Sequence, residues 1–270
     1  MPEQDRVDRF IQNFPKYLLL FTILFLITLY ILIWLVDFKQ VYVLGITEWT
    51  HQFPAPIFWL HIFREGFLVE NLQWLFLGFS SMLAFAMVFI GRFDDKRTRT
   101  GWLLFGIGLF IMLLEDSINL RHRLNYFLSQ TVNFGPDEYE EWVWSYYGIS
   151  VELIFYAMLG TIMLISFYVL YKYALNKSEK KILVIGYCFY AIAAIASATR
   201  HIGSWYYTAG ECLLDLFTGT NELGWNSESL LFSIHPLSYY FMDHIIEESI
   251  ELLAASLILI TIYSSLTKNL

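Results

Sequence analysis

Acidic and imidazole side chains recur at helical spacing in an otherwise apolar chain. His244, Glu247 or Glu248, and Glu251 follow one another at i, i+3 or i+4, and i+7, which places them on one face of a helix. Glu115, Asn119 and His122 form a second stripe of the same kind. Carboxylates mixed with imidazoles suit zinc, iron or manganese, and helical bundles build such centres by projecting Glu and His inward. The expected metal ligands are His122, His201, His244, Glu247 and Glu248; the expected catalytic carboxylates are Glu115, Asp116, Glu152 and Glu248. Arg121, Arg200, Asn119 and Glu251 are the expected binding groups. A bound divalent cation would offset the surplus negative charge and could activate water against a lipid or peptide substrate. Neither the paired Glu-x-x-His motifs of a carboxylate di-iron bundle nor His-rich boxes are found in the sequence.

These residues need a scaffold, and composition says which. Hydrophobic residues make up 57% of the chain and aromatic residues 19%, with a mean hydropathy of +0.51, above the apolar share of soluble domains. The expected fold is all-α: one integral membrane domain over 1–270, a polytopic bundle of about six transmembrane helices. The spans are expected at about 17–36, 72–90, 102–122, 149–171, 182–199 and 243–263. Between the first two, Trp49, Phe53, Phe58, Trp59, Phe63 and Phe67 predict a helix lying in the membrane interface. Tyr139, Trp142, Trp144, Tyr146 and Tyr147 before span four, and Trp205, Tyr206 and Tyr207 after span five, read as further aromatic belts. The first apolar run is too long for a cleaved signal and is expected to remain as a span. Cys188 and Cys212 are expected as free thiols, Cys188 as a small buried hydrophobe.

Lysine and arginine set the expected orientation. Arg6, Arg9 and Lys16 precede span one; Arg92, Lys96, Arg97 and Arg99 join spans two and three; Lys172, Lys177, Lys180 and Lys181 join spans four and five; Lys268 follows span six. The opposite segments hold only Lys39, Arg64, Arg121, Arg123 and Arg200. Both termini are therefore expected in the cytoplasm. On this topology spans three to six deliver their polar groups to the outer leaflet. Glu115, Asp116, Glu152, Asp243, Glu247, Glu248 and Glu251 gather there against Arg121, Arg123 and Arg200. Such acids must be protonated, hydrated in an open cavity or bound to cations.

Within Glu115-Asp116-Ser117-Ile118-Asn119-Leu120-Arg121, Glu115 and Asp116 could act as general base and electrostatic partner, with Arg121 holding a developing oxyanion. The segment resembles the acid-pair-plus-arginine motif of the membrane glutamate proteases that process prenylated proteins and bacteriocins. The resemblance covers these seven residues. It departs in having Asp for the second Glu, one extra residue before the Arg and an extracytoplasmic placement, and that family's other His motifs do not occur in their expected form. The assignment is not made. The preferred expectation is a cation or ligand site used for membrane-embedded chemistry on a lipid-phase or extracytoplasmic substrate. Proton or cation transport is the first alternative, although the inner halves of the spans offer little beyond lone hydroxyls. A non-catalytic subunit is the other, with a membrane-protein partner or a second copy docking on the aromatic outer segments. Axial haem ligation by His122 with His201, or His201 with His244, suits the dense carboxylates poorly. The expected surroundings are the lipid bilayer; no basic nucleic-acid patch occurs.

Overall fold

Positive-charge caps and apolar runs of about twenty residues favour helices, because lipid leaves backbone groups no partner but one another. The computed structural model describes residues 2–39, 41, 45–46, 58–64, 66–91, 95–120, 123–124, 126–127, 146–200, 202–218 and 237–269, and these contain helices and no strand. They form α1 (Pro2–Ile33), α2 (Phe58–Phe63), α3 (Leu68–Ile90), α4 (Lys96–Ile118), α5 (Tyr146–Tyr173), α6 (Lys177–Thr199), α7 (Trp205–Thr218), α8 (Leu237–Tyr240) and α9 (Glu248–Asn269). Two π-helical segments continue this set: Trp34–Phe38 prolongs α1, and Phe241–Glu247 joins α8 to α9.

Among the described residues, five stretches are long and apolar enough to cross a membrane: Arg9–Phe38, Phe58–Ile90, Lys96–Ile118, Ile154–Tyr173 and Lys177–Thr199. The sixth expected span, 243–263, is helical but does not stand among them. Its first nine residues carry Asp243, Glu247, Glu248 and Glu251, and Leu252, Ala254, Ala255, Ile258 and Ile262 are fully buried. Two boundaries also differ. Helix α1 begins well before Pro15 and runs through it, giving up only the one hydrogen bond that proline has no N–H to make. Helix α4 stops at Ile118 because Asn119 turns into the left-handed region at φ 51°. Asn119 therefore leaves the helical register it was expected to share with Glu115, and His122 lies outside the described residues.

The chain divides into two compact units. One comprises Met1–Lys16, Trp74–Cys188 and Ala255–Leu270. Within it α4 packs closely on α5 through glycines: a Cβ at Gly101 would lie 2.7 Å from Val169 Cγ1, and one at Gly108 would overlap the Met163 sulfur. Without a hydrophobic drive between helices in lipid, such close backbone approach supplies the packing. Ser81 Oγ adds a 3.0 Å bond to the Gly106 carbonyl. Asp95 caps α4 by accepting from Arg97 N at 2.9 Å. Helix α6 opens with a reciprocal capping box: Asn176 Oδ1 accepts from Ser178 N and Glu179 N, and Glu179 Oε2 accepts from Asn176 N at 3.0 Å. Cys188 is exposed on α6, correcting the expectation of burial; both cysteines are free thiols.

The other unit comprises Tyr17–Gln73 and Phe189–Ala254. Here α2 departs from the expected interfacial anchor. Phe58, Trp59 and Phe63 are buried in protein, with Trp59 and Phe63 fully enclosed, whereas Trp49 and Phe53 lie outside the described residues. Gly66, at φ 79°, makes the turn into α3, where Glu70 accepts from its N–H.

Candidate functional site

The site is built in the second unit, from two irregular helical segments and the helix α7, which follows span five where the sequence reading placed only a loop. A π turn adds a residue to the helical repeat and re-aims its side chains, which is why such turns recur at functional sites. In the first, Lys39 N reaches back to Trp34 O at 2.9 Å. This geometry sends the buried Asp37 carboxylate to the start of α2, where Oδ1 accepts from Phe58 N and Oδ2 from Trp59 N, each at 2.8 Å. Asp37 thus caps a helix 21 residues further along.

The capped helix presents Trp59 to the second π segment. The Trp59 ring meets Phe241 edge-on at 6.5 Å and His244 at 6.4 Å. Tyr240 stacks on the same His244 imidazole at 5.8 Å, with 28° between the ring planes. His244 Nδ1 lies 3.8 Å from the Asp243 carboxylate.

The acids of this segment are met by donors from elsewhere in the unit. Arg200, just past α6, holds Asp243 Oδ1 at 2.6 Å. Tyr206 donates from α7 to Glu247 Oε2 at 2.9 Å, and Gln73 Nε2 donates to Glu251 Oε2 at 2.8 Å. Trp205 Nε1 closes the end of α6 by donating to Thr199 O at 2.9 Å, which sets α7 in place. Gly210 then lets α7 approach α8 backbone to backbone, since a Cβ there would overlap the Ser238 carbonyl. Tyr206 is fully buried, which corrects its reading as part of an aromatic belt. Burial, followed by the Glu247 and Asp243 carboxylates, pushes its phenol far above the usual tyrosine range, so it serves as a proton-bearing donor.

Beside the Tyr206–Glu247 pair lies a cavity of about 350 Å³, lined by Ile192, Ala196, Trp205, Met242, Ile246 and Ile250 with Tyr206 and Glu247. The lining is otherwise apolar. Ile192, Ile195 and Trp205 are also exposed, so the cavity is open to the exterior.

The sequence-predicted residues divide between the units. Arg200, Glu247 and Glu251 take part in the bonds above, and His244 stands in its aromatic bracket; Glu248 starts α9. Glu115, Asp116 and Asn119 belong to the first unit, with Glu115 buried and Asn119 terminating α4. Arg121, His122, His201 and the side chain of Glu152 lie outside the described residues. Among the described residues, no group of three or more His, Cys, Asp or Glu side chains is placed to hold a metal ion. Asp37, Trp59, Gln73 and Tyr206 escaped the sequence reading, which took Asp37 for the end of a span and the aromatics for anchors. No known protein family, curated protein or solved structure matches the chain.

Proposed function

We propose that this membrane protein binds an amphiphile from the lipid phase in the cavity between α6, α7 and the Phe241–Glu247 π segment. The observation that carries the reading is the cavity itself: its walls are apolar and open to the exterior, and Tyr206 and Glu247 stand among its lining residues. Its size falls at the lower end of small-molecule sites, which are mostly apolar with a few convergent polar groups. Beside the cavity Asp243 and Glu247 are bonded with one cation, Arg200, and of these three Glu247 is the one among the lining residues. That balance favours a ligand whose head donates hydrogen bonds or carries positive charge, namely an amine or an alcohol on an apolar body. The charge bias of the loops supports cytoplasmic termini, with 243–263 taken as a sixth crossing, and puts this site toward the outer leaflet.

A photoactivatable long-chain amine tests the reading in liposomes containing the full chain. Crosslinks are expected to concentrate on 192–206 and 242–250 and to disappear in Ile250→Trp, which fills the cavity. Crosslinks spread evenly over the exposed apolar faces would overturn it. Elemental analysis of protein purified without chelators addresses the cation expectation. Near-stoichiometric zinc, iron or manganese would replace the amphiphile reading by a metal centre.

A further inference from the structure

We propose that the adjoining ends of α4, α5 and α6 hold the headgroup of an anionic lipid, with Arg97, Lys172 and Lys180 as its ligands. All three belong to the first unit, apart from the amphiphile cavity. Each cation is seated on a tyrosine. Arg97 Nη1 donates to Tyr173 OH at 3.2 Å, with its guanidinium 5.6 Å from that ring's centroid. Lys172 Nζ donates to Tyr168 OH at 3.2 Å and lies 5.2 Å from the Tyr173 centroid. Lys180 Nζ lies 4.9 Å from the centroid of Tyr171. Insertion bias alone accounts for cations at these ends; it does not account for three of them being held over rings. Cation–π contacts restrict long side chains in advance, which lowers the ordering cost when an anion arrives.

The local charge is strongly positive on a chain whose net charge is −8. Lys96, Arg97, Arg99, Lys172, Lys177, Lys180 and Lys181 are opposed among the neighbouring described residues by Asp95 and Glu179. Both acids are engaged internally: Asp95 caps α4, and the buried Glu179 completes the α6 capping box and pairs with Lys268 at 2.5 Å. The surface next to the cations decides for a lipid. Tyr168, Tyr171, Ile165 and Leu164 are exposed by 59%, 43%, 49% and 64%, so an apolar face for acyl chains continues directly from the basic ring cluster. Basic pockets between membrane helices bind anionic headgroups by this combination.

Native mass spectrometry of the full chain in mild detergent at low salt tests the proposal with phosphatidylglycerol and phosphatidylcholine as probes. Phosphatidylglycerol is expected to be retained preferentially, and the preference to fall roughly fivefold for each cation removed in Arg97→Gln, Lys172→Gln and Lys180→Gln. Arg64→Gln, the same charge change at an exposed position of the other unit, is expected to leave it unchanged. Equal retention of the two lipids by the wild-type protein overturns the proposal without any variant, as does an equal loss in Arg64→Gln. Displacement of the lipid by millimolar inorganic phosphate would overturn the lipid assignment in favour of a soluble phosphate.

Discussion

The Tyr206 hydroxyl donates to Glu247 Oε2 across 2.9 Å, joining α7 to the π segment beside the cavity. The contact spans 41 residues of sequence and joins a fully buried phenol to a half-buried carboxylate. Its properties can be tested by mutation and by pH.

Replacing Tyr206 by Phe keeps the ring and removes the donor. The expected cost at neutral pH is about 1–3 kcal/mol, the penalty for leaving a buried acceptor unmet, read from denaturation in detergent. The phenol's pKa lies above its ordinary value of 10.0 in the folded protein. The unfolded chain therefore releases this proton first as pH rises, and the folded state loses stability above about pH 10. The stability of the native protein should hold below that point and decline beyond it, with a shallower decline in Tyr206→Phe. Identical slopes would remove Tyr206 as the source.

Asp37→Ala withdraws both acceptors from the first turn of α2, whereas Asp37→Asn retains one. The expected losses are about 2 kcal/mol for Ala and about half that for Asn, measured by the same denaturation. Because α2 carries Trp59 to His244, crosslinking at the cavity is expected to weaken in the Ala variant.

At the α4–α5 contact, Gly101→Ala and Gly108→Ala should separate by the stiffness of the neighbour. Val169 is β-branched and holds its rotamer, so Gly101→Ala is expected to cost about 1–3 kcal/mol. Met163 is flexible and can swing away, so Gly108→Ala is expected to cost less than 1 kcal/mol by this mechanism. Thermal melts of the two variants in one detergent give the order directly.

Single cysteines test the proposed orientation after Cys188 and Cys212 are replaced by Ser. An impermeant maleimide added to intact cells is expected to label Gly135→Cys and Thr220→Cys, and to reach Asp95→Cys and Ser178→Cys only after permeabilisation. The opposite pattern would move the amphiphile cavity to the cytoplasmic leaflet.

Much of the scaffold was legible in the residues because lipid makes local demands. A run such as 17–36 must satisfy its backbone internally, so composition and length alone find the helix. Asp95 and the Asn176–Glu179 capping box are equally local, since cap and capped groups lie within four residues, but they were found in the structure and not from the sequence. The boundary at Asn119 was not, because a left-handed turn in an asparagine leaves no distinctive mark on the apolar pattern. Helix α7 was missed for a related reason: its 14 residues are too short for a span, and its aromatic start resembles an interfacial belt.

By itself, the sequence determined that the chain is helical and apolar enough for a membrane, that its charge is asymmetric, and that acids cluster at the start of the last helix. These properties depend on residue type and spacing within one helix. Only the tertiary structure decided what those acids do: Arg200 takes Asp243, Tyr206 takes Glu247 and Gln73 takes Glu251. The three partners are 43, 41 and 178 residues away, and the intervening π segment changes the helical repeat on which any stripe prediction rests. Long-range pairing and a shifted repeat are outcomes of packing, and no periodicity along a single helix encodes them.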